Sequence, residues 1–278
     1  MLKNITDLNL LKVVYILKLA IQEPMLPGKD LHERVHKAEE LGFEGIEFWG
    51  RGIEDRVDEI LSAISTSRVK VSTICAGYRG NLLSADRSER ELAMREIKSK
   101  LSAASRLEAV GLIVVPIFGK AVLPDLYPLY STIEELERRL LIEELKDLGK
   151  YAEEVGSYIL LEPLNRYETH FINRLEQAVE ICEELKMEYI KIMADVFHMN
   201  IEEADIPKSI KEAGEYIRHV HLADSNRYVP GYGHTDFKSI FDALKDIKYG
   251  YYMALECRVP EPREETLKRT VEFLRRLM

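Results

Sequence analysis

Cysteine is scarce in this chain. Its 278 residues include three, Cys75, Cys182 and Cys257, and none sits in a CxxC or other metal-type spacing. That excludes a disulfide framework and a thiolate zinc site as organising features, and it fits reduced thiols acting as small buried hydrophobes in a cytoplasmic protein. Long hydrophobic runs are also lacking. None approaches the roughly 20 residues that a membrane-crossing helix needs. The opening stretch MLKNITDLNLLKVVYILKLA grows apolar towards its end, yet it carries Asp7, Lys12 and Lys18 and has no small-residue cleavage site, so no secretory leader is expected. Positive charge is outweighed, with 39 Lys and Arg against 48 Asp and Glu and a net charge of −9. Neither nucleic acid nor an anionic membrane is therefore expected as a partner. No GxGxxG or Walker glycine loop follows any strand-like run, which argues against an open nucleotide-binding sheet. Linkers and low-complexity stretches are missing too.

What is present is a globular composition, 46% apolar and 31% charged. Short β-rich runs alternate with longer amphipathic ones. The runs are 13–21, 45–49, 69–75, 111–118, 157–162, 189–195, 217–223 and 251–256. Helical patterns lie between them and after the last, among them DLHERVHKAEELG, RVDEILSAIS, the long segments after Ser88 and Ile133, RLEQAVEICEELK, IPKSIKEAG, KSIFDALKDI and REETLKRTVEFLRRL. Gly42, Gly111, Gly156 and Gly214 stand where a helix stop is expected. Strict alternation of strand and helix implies parallel strands joined by crossover helices, and eight such units favour closure into a (β/α)8 TIM barrel. The expectation is one α/β barrel domain over 1–278.

Polar residues mark the ends of the last four runs. Glu162 closes SYILLE, Asp195 closes YIKIMAD, His221 lies near the end of IRHVHLA, and Glu256 closes YYMALE. In a barrel those ends share one face, the mouth where active sites lie. A single carboxylate after a strand is ordinarily a helix cap, and a single strand histidine ordinarily a satisfied core residue. Four on consecutive strands would repel one another unless a cation sat between them. Three oxygens and one nitrogen suit Mn²⁺, Co²⁺ or Mg²⁺ better than a thiolate-seeking metal. The loops that follow supply Asn165, Arg166, Glu168 and His170, then His198, then Asp224, Asn226, Arg227, His234 and Asp236. Such a density of donors and acceptors is what a polyhydroxylated ligand requires. Pro230, Gly231 and Gly233 allow a tight loop there. Glu47, in the second run, is open between a pocket residue and a salt-bridge partner. Phe48, Trp49 and Tyr78 are open between stacking on a ligand and packing.

The stretches LEPLNRYETHFIN, ADVFHMNIEE and HVHLADSNRYVPGYGHTDF, with ALEC at the last strand, resemble the ketose 3-epimerases, the D-tagatose 3-epimerase and D-psicose 3-epimerase group of the xylose isomerase-like barrels. The resemblance covers about 157–257 closely, and GFEGIEFWG at the second strand is similar to the wider superfamily. It implies that Glu162, Asp195, His221 and Glu256 bind one divalent metal ion, and that Glu162 and Glu256 are also the catalytic acid/base pair. It implies that Glu168, His198 and Arg227 bind a small ketose, whose C3 is inverted through a cis-enediolate. It also implies a homo-oligomer, a dimer or tetramer. Tyr167 and Phe237 depart from the Phe and Trp usual at those places. Gln22, Glu23 and Pro24 depart from the aromatic-bearing pattern of the first strand's loop. An aldose–ketose isomerase or an inosose dehydratase-type lyase on the same barrel is the alternative.

Overall fold

The computed structural model describes residues 16–278. The start of the first strand run, residues 13–15, and most of the stretch read for a leader lie outside the described residues. So do residues 1–15 of the single domain expected over the chain.

The chain runs β1 (Lys18–Gln22), α1 (Leu31–Leu41), β2 (Gly45–Trp49), α2 (Ile53–Ile64), β3 (Lys70–Cys75) and α3 (Arg87–Arg106). It continues through β4 (Gly111–Val114), α4 (Ile133–Val155), β5 (Tyr158–Leu161), α5 (Leu175–Leu185) and β6 (Ile190–Asp195). Then come α6 (Val196–Glu202), α7 (Ile206–Ala213), β7 (Ile217–Leu222), α8 (Phe237–Asp246), β8 (Tyr252–Leu255) and α9 (Arg263–Leu277). The eight strands close into a barrel in sequence order, every neighbour parallel, with β1 pairing β8.

Local chemistry sets many of these bounds. Asp30, Asp86 and Thr132 cap α1, α3 and α4 by accepting from Glu33, Ser88 and Glu135 backbone N–H groups. Gly42 and Gly156 end α1 and α4 in the left-handed conformation, as expected. Gly214 follows α7 as its cap. Gly111 is a correction. Helix α3 already ends at Arg106, and Gly111 opens β4 instead. A Cβ there would stand 2.1 Å from the Tyr158 carbonyl oxygen, so the residue is small because the β4 and β5 backbones approach each other.

Strand side chains alternate between two environments. Leu112, Val114, Ile159 and Leu161 join the large core between strands and helices. Ile113, Leu160, Cys75 and Met193 form a second, small cluster on the other face of β3–β6, inside the barrel. No helix among the described residues is long and apolar enough to cross a membrane.

Candidate metal centre

Barrel closure puts the ends of β5, β6, β7 and β8 side by side. Glu162 follows β5 directly, Asp195 ends β6, His221 lies in β7, and Glu256 follows β8 directly. Each offers a ligand atom, and those atoms lie within 4.8 Å of one another. His221 Nδ1 is 3.3 Å from Glu256 Oε2, 3.6 Å from Asp195 Oδ2 and 4.0 Å from Glu162 Oε1. Glu162, Asp195 and His221 are buried and Glu256 nearly so.

One atom in this cluster is chemically unfinished. His221 Nδ1 is buried and makes no hydrogen bond. Its other nitrogen, Nε2, sits 2.9 and 3.0 Å from the two oxygens of Glu47. A carboxylate only accepts, so Nε2 carries a proton, and Nδ1 is the nitrogen turned to the cluster, able to offer a lone pair to an ion once its own proton leaves. This is the arrangement by which a carboxylate orients a metal-binding imidazole. Glu47 is fully buried. It also accepts from Gln22 Nε2 at 3.0 Å, Thr73 Oγ1 at 2.5 Å and His219 Nε2 at 2.8 Å. Burial opposes its charge, but His221 and His219 outweigh that and hold Glu47 well below the usual carboxylate range.

The charge balance among the four residues is awkward without a cation. Burial, reinforced by Glu256, Asp195 and Glu47, pushes Glu162 well above its ordinary value, despite the pull of His221. Burial works against a charged His221, yet Glu47 and Glu256 raise it well above an ordinary histidine. Burial likewise opposes Asp195, yet His198 and His221 hold it low. The cluster therefore retains protons that a divalent ion would displace. The donor set, the buried Nδ1 with no hydrogen-bond partner and the excess negative charge all fit such an ion. Cys75, inside the barrel, supplies no thiolate, because burial and Glu47 push it well above an ordinary thiol.

The loops place further groups around the cluster. Asp195 also caps α6, its Oδ1 accepting from the Phe197 and His198 N–H groups. The sequence places His198 in a loop, and the structure folds the segment into α6. Helix α6 buries His198, whose Nδ1 lies 2.7 Å from Asn165 Nδ2 and 3.2 Å from Asn165 N. These donors make Nδ1 an acceptor, so His198 Nε2 bears the proton and faces Asp195 Oδ2 at 3.8 Å and Glu162 Oε1 at 4.0 Å. Arg227, at φ +61°, bonds Glu168 Oε1 at 2.8 Å, approaches Glu256 Oε2 to 3.6 Å and lies 4.7 Å over the Phe197 ring. Glu168, His198 and Arg227 thus flank the four clustered residues.

Other flanking candidates have structural partners. Arg166 pairs with Glu202, and His170 bridges Glu137 and the Gly119 carbonyl. Asp224 knots its loop by accepting from Ser225, Gly231 and Thr235 N–H groups. A Cβ on Gly233 would stand 2.2 Å from Asp224 Oδ1, which is why that loop needs glycine there. Asn226 donates to the Tyr232 carbonyl, Asp236 caps α8, and His234 is exposed. Phe48 is core, Trp49 is exposed, and Tyr78 donates to the Val115 carbonyl at 2.5 Å. Glu47 resolves as the anchor of His221. Sequence reasoning did not single out Thr73 or His219. The signal for His219 was the HxH spacing in β7, which puts two imidazoles on one face of a strand.

Comparison with known proteins gives a consistent picture. The model of the xylose isomerase-like TIM barrel family matches residues 35–277. The chain is 30% identical over 244 residues to a 3-dehydro-D-guloside 4-epimerase of Escherichia coli, covering 87% of this chain and 93% of that one. It is 31% identical over 230 residues to a D-psicose 3-epimerase of Enterocloster bolteae, covering 79% and 74%. Among solved structures, an Escherichia coli 3-keto-D-glucoside 4-epimerase superposes with a TM-score of 0.85 at 28% identity, over 94% of this chain and 100% of that one. A D-psicose 3-epimerase of Clostridium cellulolyticum superposes with a TM-score of 0.82 at 23% identity, over 94% and 99%, a likeness of fold.

Proposed function

The chain belongs to the xylose isomerase-like TIM barrel family, and from that premise we propose that it is a divalent-metal-dependent sugar epimerase that inverts C3 of a free ketose. The observation that carries the reading is the meeting of Glu162 and Glu256, from strands β5 and β8, in one buried cluster with an unpartnered His221 Nδ1. Relatives that are sugar epimerases support the same class of reaction.

Inversion next to a carbonyl needs two bases. A single base tends to return the proton to the face it left. Strands β5 and β8 lie three apart in the ring, so their carboxylates reach a bound sugar from different sides. One glutamate takes the C3 proton, and the electron pair moves onto the carbonyl oxygen to give a cis-enediolate. The other glutamate delivers a proton to the opposite face of C3 as the carbonyl re-forms. A divalent ion held by Glu162, Asp195, His221 and Glu256, with Mn²⁺ or Co²⁺ favoured over Mg²⁺, would polarise that carbonyl and offset the charge gathering on its oxygen. His198 supplies an Nε2–H, Arg227 its guanidinium donors, and Glu168 an acceptor for hydroxyls, so the three fix the sugar's register. The reading carries with it a cytoplasmic location and a homo-oligomer, a dimer or tetramer.

The test is hydrogen exchange in D₂O. Metal-loaded protein is incubated with fructose, tagatose, ribulose and their C3 epimers, and deuterium at C3 is followed by NMR. Wash-in with epimer formation is expected, and absence of exchange with every sugar sinks the reading. Glu162→Gln and Glu256→Gln should each lower turnover by about 10²–10⁴-fold, the range of a lost acid or base. A second reading is inversion at C4 of a 3-keto glycoside, which uses the same proton chemistry one carbon along. It is favoured by the relative whose length is 93% covered. A 3-keto-glucoside in the same assay separates the two by the labelled carbon, while aldose formation or water loss would mark an isomerase or a lyase.

A further inference from the structure

Gln22 ends β1, and its side chain is buried. Its Nε2 lies 3.0 Å from Glu47 Oε1 and 2.9 Å from Glu256 Oε1. Both partners are carboxylate oxygens, which only accept, so the amide must turn its NH₂ towards them and give one hydrogen to each. Strand register explains the meeting. Gln22 is the partner of Glu47 across β1 and β2, and Ile21 is the partner of Leu255 across β1 and β8, so Gln22 stands beside Glu256.

The two carboxylates are not equally held. Glu47 is fully buried and also accepts from Thr73, His219 and His221. Glu256 is the least buried of the four clustered residues and lies just past the end of its strand. Its Oε2 faces His221 Nδ1 at 3.3 Å and Arg227 Nη2 at 3.6 Å, while Oε1 is taken by Gln22.

We infer that Gln22 is a positioning residue, which ties Glu256 to the fixed anion Glu47 and so aims Glu256 Oε2 into the site. The inference rests on the epimerase reading above, since that reading gives Glu256 its acid/base role. The tie survives the reaction cycle. When Oε2 takes a proton, Oε1 becomes a carbonyl oxygen and still accepts from Gln22, so the carboxyl plane is the same before and after transfer. Without it the carboxyl group turns about its terminal torsion, which is broad and soft.

Gln22→Met keeps the length and removes both donors. The expected result is a kcat lower by about 10- to 100-fold, the cost of a misplaced reacting group, with KM within about threefold and one metal ion still bound. The ratio of C3 hydrogen exchange to inversion should rise, because Glu162 continues to exchange protons while delivery by Glu256 fails. A kcat within about twofold of the parent, or a loss carried entirely by KM, overturns the assignment. A second arm needs no turnover. Mn²⁺ affinity is measured by calorimetry for the parent, Q22M, Glu256→Ala and the double variant. If Gln22 acts through Glu256, Q22M weakens binding in the parent and adds nothing in the Glu256→Ala background, which has no side-chain oxygen left to accept. Additive losses would assign Gln22 to Glu47 alone and overturn the inference. If the parent exchanges no hydrogen with any sugar, the epimerase reading fails, and the calorimetric cycle still decides whether Gln22 orients Glu256. Should Q22M not fold, Gln22→Asn withdraws the amide by one methylene and is read in the same way.

Discussion

Glu47 takes hydrogen bonds from three other strands: Gln22 on β1, Thr73 on β3, and His219 and His221 on β7. None of those partners is near it in sequence, and His221 is 174 positions away. That distance is why its role could not be read from the chain, where a glutamate within a strand has two equally good readings. Asp195 shows the same limit differently. A helix cap and a metal ligand are competing readings of this residue in the sequence, and in the structure one oxygen makes the cap while the other is left facing the cluster. Oδ1 caps α6 while Oδ2 faces His221 Nδ1. The hold of Glu47 on His221 Nε2 leads to a prediction. Glu47→Gln keeps an acceptor for Nε2–H but removes the charge that makes the imidazole a better donor to a metal. Mn²⁺ affinity should fall by about 10- to 100-fold, the usual cost of losing such a partner. Calorimetry against the parent checks it, and an unchanged affinity would mean that Glu47 serves packing alone.

Secondary elements were legible where their period was long enough to show. Helices α3 and α4 announce themselves by amphipathic spacing, and α4 also by its closing Gly156. Helix α6 did not, because seven residues hold too few turns to display a period and its cap, Asp195, was already assigned to the site. Gly111 misled because a glycine after a helix reads as a stop, whereas here it serves strand contact with β5. The pairing of α3 with α4 carries a testable burden. Glu144 on α4 faces Arg90 on α3 at 3.5 Å, but its Oε2 is buried without a partner. Burial pushes Glu144 up to about 7, with Arg90 opposing only weakly. An unfolded glutamate titrates near about 4.3. The folded chain therefore holds this proton more tightly, and the stability it contributes at low pH is lost as pH rises through about 7. Glu144→Gln removes that loss. It should stabilise the protein at pH 8 by about 1 kcal/mol, part of the shift being discounted for solvent at the helix edge. Denaturant midpoints should converge for the two proteins towards pH 4, and a gain that persists there would point to packing instead.

At the scale of the whole barrel, closure concentrates charge that the chain cannot neutralise by itself. Glu162, Asp195, Glu256 and Glu47 converge on one face against His221 and its neighbours. Glu162 and His221 are both raised above their unfolded values, for the reasons of burial and neighbouring charge given above. A group raised in the folded state contributes stability below its unfolded value, and that contribution is lost as pH rises through the folded one. The metal-free protein should therefore lose stability from the carboxylate range upward, and further above about pH 6.5, where an unfolded histidine deprotonates. A bound cation reverses the balance, because it takes the place of those protons and binds better as they leave. Stabilisation by a ligand grows with the logarithm of its affinity, and each tenfold gain is about 1.4 kcal/mol. For a domain of this size that corresponds to about 3–5 °C in melting temperature. The gap in melting temperature between Mn²⁺-saturated and EDTA-treated protein should thus widen steadily from pH 5 to pH 8. A gap independent of pH would show that no proton leaves the cluster on binding. Glu162→Gln supplies the control, since a side chain with no proton to release should flatten the slope even where it still lets the ion bind.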